Sequence, residues 1–155
     1  MELMSTYTLR PKDIEERWYV VDATGQALGR LASDVAATLR GKKRPSFTPS
    51  MPNGDFVIVI NASKVKITGD MREKQYYRHS MYPGGLKSIS QEKLIATRPE
   101  RVIEYAVKGM LPHNALGARL LKRLKVYAGP EHRHESQVNA GNGKSKQRAA
   151  TGASE

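Results

Sequence analysis

The sequence predicts an α/β domain of three layers, with a small, mainly parallel central sheet flanked by helices, an extended N-terminal arm and a C-terminal tail. Two observations carry this expectation. The stretch "DFVIVIN", Asp55 to Asn61, holds five consecutive apolar residues, Phe56 to Ile60, between turn signals. That is the pattern of a strand covered on both faces, as in a parallel sheet. Strand-like and helix-like segments also alternate, beginning with the β-rich run "WYVVDA" and the amphipathic stretch behind it.

In chain order, residues 1–17 read as the arm, 18–135 as one α/β domain and 136–155 as the tail. In "TGQALGRLASDVAATLRG", Leu28, Leu31, Ala32, Val35 and Leu39 recur at helical spacing, and Gly41 supplies a stop. "KKRPSFTPSMPNG" is a loop rich in proline and cations. "KVKIT" is expected to form a second, shorter strand. "GDMREKQYYRHSMYPGGLKS" has no sustained period and is expected to be a long loop. "SISQEKLIAT" and "RPERVIEYAVKGM" read as two helices. Thr97 and Glu100 have capping-box spacing, Pro99 suits a first turn, and Val102, Ile103, Ala106, Val107 and Met110 form the stripe to be buried. After Pro112 a further helix is expected from Leu116 to Tyr127, and from Gly129 on the apolar content falls.

The chain has 155 residues, a suitable length for one core. Its 26 Lys and Arg against 15 Asp and Glu give a net charge of +11, which suggests a polyanionic partner. Residues 1–25 carry −2, residues 26–125 carry +12 and residues 126–155 carry +1, so the basicity belongs to the middle of the chain and not to a detachable tail. The absence of Cys excludes disulfides and thiolate zinc. No apolar run approaches the ~20 residues of a membrane span. The opening "MELMSTYTLRPKDIEER" has no apolar targeting core, so the expectation is a reducing cytoplasm or an organelle interior, with no membrane partner.

Three segments concentrate charge or rings. Laid on a helical wheel, Leu116, Leu120, Leu121, Leu124 and Tyr127 share one side, and Arg119, Lys122, Arg123 and Lys125 the other, with no acid among them. Phosphate contact and a solvated face both fit, but solvated faces usually mix signs. Arg40, Lys42, Lys43 and Arg44 fall within five residues past a helix end, more than one helix terminus can use. "YYRHSMYPGGLKS" interleaves Tyr76, Tyr77 and Tyr82 with Arg78, His79 and Lys87 around Gly84 and Gly85. Such rings can stack on unpaired bases, or pack the loop onto the domain. His113, ahead of the last helix, is a phosphate contact or a turn residue.

Enzymatic readings find little support. Gly25 and Gly29 give G-x-x-x-G, which matches neither a dinucleotide fingerprint nor a P-loop. His132 and His134 form H-x-H with no Cys and no third ligand fixed nearby, so no metal is expected. No spacing suggests a catalytic constellation, cofactor or small-molecule substrate.

Read in order, "WYVVDATGQALGRLAS", "GDFVIVINASKVKITG", "RPERVIEYAVKGMLP" and "LGARLLKRLKVYAGPEH" resemble the bacterial-type large-subunit ribosomal protein thirteen, a universal ribosomal family, from about Tyr7 through Gln137. The resemblance implies an α/β fold with a mainly parallel sheet. It further implies a non-catalytic role in binding and organising large-subunit ribosomal RNA early in assembly, beside neighbouring ribosomal proteins. The family's Y-P-G-G loop falls on Tyr82 to Gly85, its K-G-M-L-P turn on Lys108 to Pro112, which adds Lys108 to the candidates, and its basic helix on Leu116 to Tyr127. Residues 138–155 lie outside the pattern.

Overall fold

The structure, a computed structural model, describes residues 9–70 and 73–140. Residues 1–8 of the expected arm and 141–155 of the expected tail lie outside the described residues. The central sheet has three parallel strands in the order β1-β2-β5, with β1 at Trp18–Asp22, β2 at Phe56–Ile60 and β5 at Leu124–Val126. Helix α1, Leu28–Arg40, makes the crossover from β1 to β2 and ends at Gly41 as expected. Its buried stripe is Leu28, Leu31, Ala32, Val35, Ala36 and Leu39. Burying each large side chain of such a stripe contributes about 1.5–3 kcal/mol.

Because strand side chains alternate between faces, Val57 and Val59 turn to the helical layer, and Ile58 turns to the opposite face. All three are fully buried, so β2 is covered on both sides. The helical layer joins α1, α3 at Pro99–Met110 and α4 at Ala115–Leu121 around Val102, Ile103, Val107 and Leu120. On the second face Trp18 stacks on Phe56 at 4.3 Å, and His134 lies over Trp18 at 5.2 Å. His132 and His134 also meet the Tyr127 ring, so the H-x-H pair is held by aromatic contacts where the chain returns over the sheet. Residues 135–140 are helical.

Several expectations need correction. The single helix from Leu116 to Tyr127 ends at Leu121, and Leu124–Val126 forms the third strand, with Val57 opposite Leu124 and Val59 opposite Val126. Both edges of β2 carry backbone donors and acceptors inside the protein, and β5 satisfies the second edge. Leu120 and Leu124 are buried in either arrangement, so their spacing could not separate them. The long loop contains an antiparallel hairpin, β3 at Gln75–His79 with β4 at Leu86–Ser90. The residues "SIS" belong to β4, and helix α2 covers Gln91–Thr97, with the Ser90 hydroxyl accepting from the Lys93 N–H.

"KVKIT" forms no strand. It forms a single bridge, between Ala27 and Lys66, behind a short 3-10 turn at Ala62–Lys64, and packs Val65 and Ile67 against the core. The Thr97–Glu100 capping box is absent, since Arg98 holds the N-cap position and the Thr97 hydroxyl donates back to the Lys93 carbonyl at 2.8 Å. Met110 is 46% exposed and leaves the buried stripe.

Candidate nucleic-acid interface

The cations past α1 divide into two kinds. The Arg44 guanidinium pairs with Asp55, and Nη1 donates to Asn53 Oδ1 at 3.4 Å. Asp55 also accepts from the Arg17 N–H at 3.2 Å. The Arg44 and Asp55 side chains are 17% and 7% exposed, so Arg44 clamps the loop after α1 to the start of β2. Arg40 is half-buried and lies 5.8 Å over the Phe47 ring. Lys42 is exposed, and Lys43 makes a loose 3.9 Å contact to Asp34. Exposed pairs of that kind hold a side chain weakly.

The segment after Pro112 divides likewise. Arg119 and Lys122 are exposed. Arg123 donates to the Gly54 carbonyl at 2.5 Å and to Glu16 at 2.9 Å, and lies 5.1 Å over the Phe56 ring. The wheel's acid-free face therefore meets an acid that the N-terminal segment supplies. Lys125 sits half-buried on β5 opposite Ile58, on the second face of the sheet.

On the hairpin, Tyr76 and Ile89 form an opposed pair packed on the core, with the Tyr76 ring 5.4 Å from Tyr105. Burial, and then the neighbouring Tyr105, raise the Tyr76 phenol above its ordinary value of 10.0, which keeps it neutral. One step along the same face, Arg78 stands opposite Lys87, and both are exposed. Neither side chain has an ion pair or hydrogen bond among the described residues. Like charges directly opposite on a strand pair are unfavourable unless an anion lies between them.

The other hairpin face carries Tyr77 and Leu86, 66% and 61% exposed, and Tyr82 at the tip is 76% exposed. The tyrosines thus divide between the two readings, with Tyr76 packing and Tyr77 and Tyr82 open. His79 Nδ1 accepts from the Met81 N–H at 3.0 Å, which holds the tip. Gly85 has a structural reason to lack a side chain, because a Cβ there would come within 2.8 Å of the Tyr82 carbonyl oxygen, and Gly84 takes a left-handed φ of +70°.

Lys108, His113 and Lys122 are brought together by the turn between α3 and α4, where they line one cleft. Sequence reasoning passed over Leu111, Ala118 and Leu121 in that cleft, and Leu86 on the hairpin, because apolar residues at helix or strand spacing are normally assigned to the core. Asn114, exposed at the N-cap of α4, holds that turn in place. Its side chain caps α4 by accepting from the Gly117 N–H at 2.9 Å, which an Asn before A-L-G could have signalled.

Among the described residues, no group of three or more His, Asp or Glu is placed to hold a metal ion, and no helix is long and apolar enough to cross a membrane. Fold and surface together define a class, a small α/β domain that carries open cations and rings around an internally braced scaffold. A model of the family "Ribosomal protein L13" matches residues 16–133. "Large ribosomal subunit protein uL13" of Symbiobacterium thermophilum is 59% identical over 133 residues, covering 85% of this chain and 93% of that protein. The proteins of the same name from Thermus thermophilus and Aquifex aeolicus are 58% and 55% identical over 135 residues, covering 86% of this chain and 95% and 94% of theirs. The chain belongs to the ribosomal protein L13 family.

Proposed function

We propose that this chain is a non-catalytic constituent of the large ribosomal subunit that binds and organises large-subunit ribosomal RNA, early in assembly and beside neighbouring ribosomal proteins. Its place is the ribosome of a bacterial-type cytoplasm. An organelle ribosome is the variant of the same role. Family membership supports the ribosomal part. The opposed, unpaired Arg78 and Lys87 carry the RNA part, since a fold that needed only stability would place an acid across from one of them.

The phosphate-contacting set is Lys42, Lys43, Arg78, Lys87, Lys108, Arg119 and Lys122, which are exposed. His113 and the half-buried Arg40 and Lys125 lie beside this set, and Arg44 and Arg123 brace the scaffold instead. Tyr77 and Tyr82 supply rings for unpaired bases, since RNA is recognised through shape and unstacked bases. A salt series on large-subunit RNA tests the proposal. For about six phosphate contacts the slope of log K against log salt is roughly −4 to −5. A flat slope, or failure to co-sediment with large ribosomal particles, would overturn it.

A further inference from the structure

The cleft at the α3–α4 turn has a volume of about 470 Å³. That lies within the roughly 300–1,000 Å³ typical of small-molecule sites, the size of a nucleotide and not of a duplex. Its lining is unlike that of the cleft beside Arg44, which includes Asp13, Glu15 and Asp55. Here the charged side chains are Lys108 and Lys122, with His113, and no acid takes part. Among the described residues neither lysine has an ion-pair partner, and both are exposed. The apolar lining comes from Leu111, which is buried, and from Pro112 and Leu121, which are half-buried.

The walls are fixed before any ligand arrives. The Asn114 side chain holds the first turn of α4 through the Gly117 N–H. Gly117 lets α4 close onto the turn, because a Cβ at that position would come within 1.8 Å of the Pro112 carbonyl oxygen. Ala118, exposed on the same wall, leaves the mouth open.

We propose that this cleft receives one unstacked nucleotide of the bound RNA. Its base lies on Leu111, Pro112 and Leu121, and the phosphates on either side meet Lys108 and Lys122. This assignment rests on the RNA-binding reading above and gives one site within it a ligand. Charge complementarity selects the occupant, because a rim of cations around an apolar surface suits a flat base on an anionic chain. An apolar side chain from a neighbouring protein would need no cations. Apolar walls that grip an extruded base are a general device in nucleic-acid recognition.

The test uses the full chain with a short single-stranded oligoadenylate and with the duplex that it forms with oligouridylate. Ala118→Phe fills the mouth without changing any charge. It is expected to weaken the single strand about five- to tenfold, in line with the contribution of one stacked base, and to leave duplex binding and the salt slope unchanged. The double variant Lys108→Gln with Lys122→Gln keeps the cleft open. It should weaken the single strand by a similar factor, with a salt slope shallower by about 1–2, and the duplex much less; an equal loss for both would overturn the cleft assignment. Thermal melting of each variant checks that the fold persists, and the double variant decides if Ala118→Phe does not fold. Unchanged single-strand binding in a folded Ala118→Phe variant overturns the cleft assignment, leaving the general RNA reading intact and the cleft open to a protein side chain. Absence of any salt-dependent RNA binding by the unaltered chain overturns the underlying reading instead.

Discussion

Replacing Arg44 and its neighbour Lys43 by Gln, one at a time, separates bracing from binding. Both are cations of one sequence cluster, yet their surroundings differ. The Arg44 and Asp55 side chains are 17% and 7% exposed, whereas those of Lys43 and Asp34 are 61% and 77% exposed. Removing one partner of a buried pair leaves the other charged and poorly solvated, at a cost of about 3–5 kcal/mol. Asp55 keeps one donor, the Arg17 N–H, which places Arg44→Gln near the lower figure, about 3 kcal/mol. At roughly 2–4 °C per kcal/mol for a chain of this size, the melting temperature should fall by about 6–12 °C.

Lys43→Gln should stay within about 0.5 kcal/mol of the unaltered protein and should make the RNA salt slope shallower by about 1. Adding Asp55→Asn to Arg44→Gln should recover part of the loss, with a coupling of about 1–3 kcal/mol. Circular-dichroism melts and filter-binding salt series give both readouts. If Arg44→Gln melts within a degree of the unaltered protein and instead loses RNA affinity, Arg44 is a phosphate ligand and the bracing argument is wrong.

Three further outcomes follow from the same geometry. Arg78→Glu should leave the free protein as stable or raise its stability by about 0.2–1 kcal/mol, because it turns a like-charged cross-strand pair into an opposite one, while RNA binding weakens. A loss of stability would show that Arg78 serves the fold. Arg123→Glu should cost about 2–4 kcal/mol by abolishing the bonds to Gly54 and Glu16 and setting two carboxylates together, whereas Arg119→Glu should stay within about 0.5 kcal/mol and lower RNA affinity. Equal melts for the two variants would contradict the division of this segment.

Hydrogen bonds from Asn61, and then from Thr24, hold the Asp22 carboxyl below its ordinary 3.8. Such a depressed carboxylate stabilises the fold above about pH 3.8, and that contribution is lost as the pH falls through the lower folded value. Asp22→Asn should remove this segment of the acid-unfolding profile, and an unchanged profile would show that the interaction has no thermodynamic weight.

What was legible in the sequence was whatever depends on short-range periodicity. Helix α1 with its stop at Gly41, the doubly covered strand at Phe56–Ile60 and the stripe Val102, Ile103 and Val107 repeat every few residues along one element. The strand Leu124–Val126 was not legible, because Leu120 and Leu124 satisfy helical spacing and the need that makes a strand there is the open edge of β2. The hairpin escaped for a related reason. Its outer face bears Tyr77, Ser88, His79 and Leu86 with no alternation of apolar and polar residues, and only Tyr76 and Ile89 mark an inward side. The cleft beside His113 arises where two helices meet, which no window along the chain can see.

The candidate site was half legible, because charge counts treat every cation alike and folding does not. Arg44 finds its acid 11 residues away and Arg123 finds one 107 residues away, distances at which no helical or strand pattern pairs charges. Once those pairs form, the arginines are neutralised within the scaffold and add little to the outward field. Among the candidate cations, those left open are mostly lysine, at Lys42, Lys43, Lys87, Lys108 and Lys122, with Arg78 and Arg119. This sorting follows the chemistry of the two side chains. The planar guanidinium makes several directed bonds at once and suits a buried clamp, whereas the ammonium is a strongly hydrated point charge on a flexible stem. These seven candidate cations stand on a scaffold braced from within by Arg44 and Arg123. The affinity of such a domain for RNA should therefore fall as the salt concentration rises.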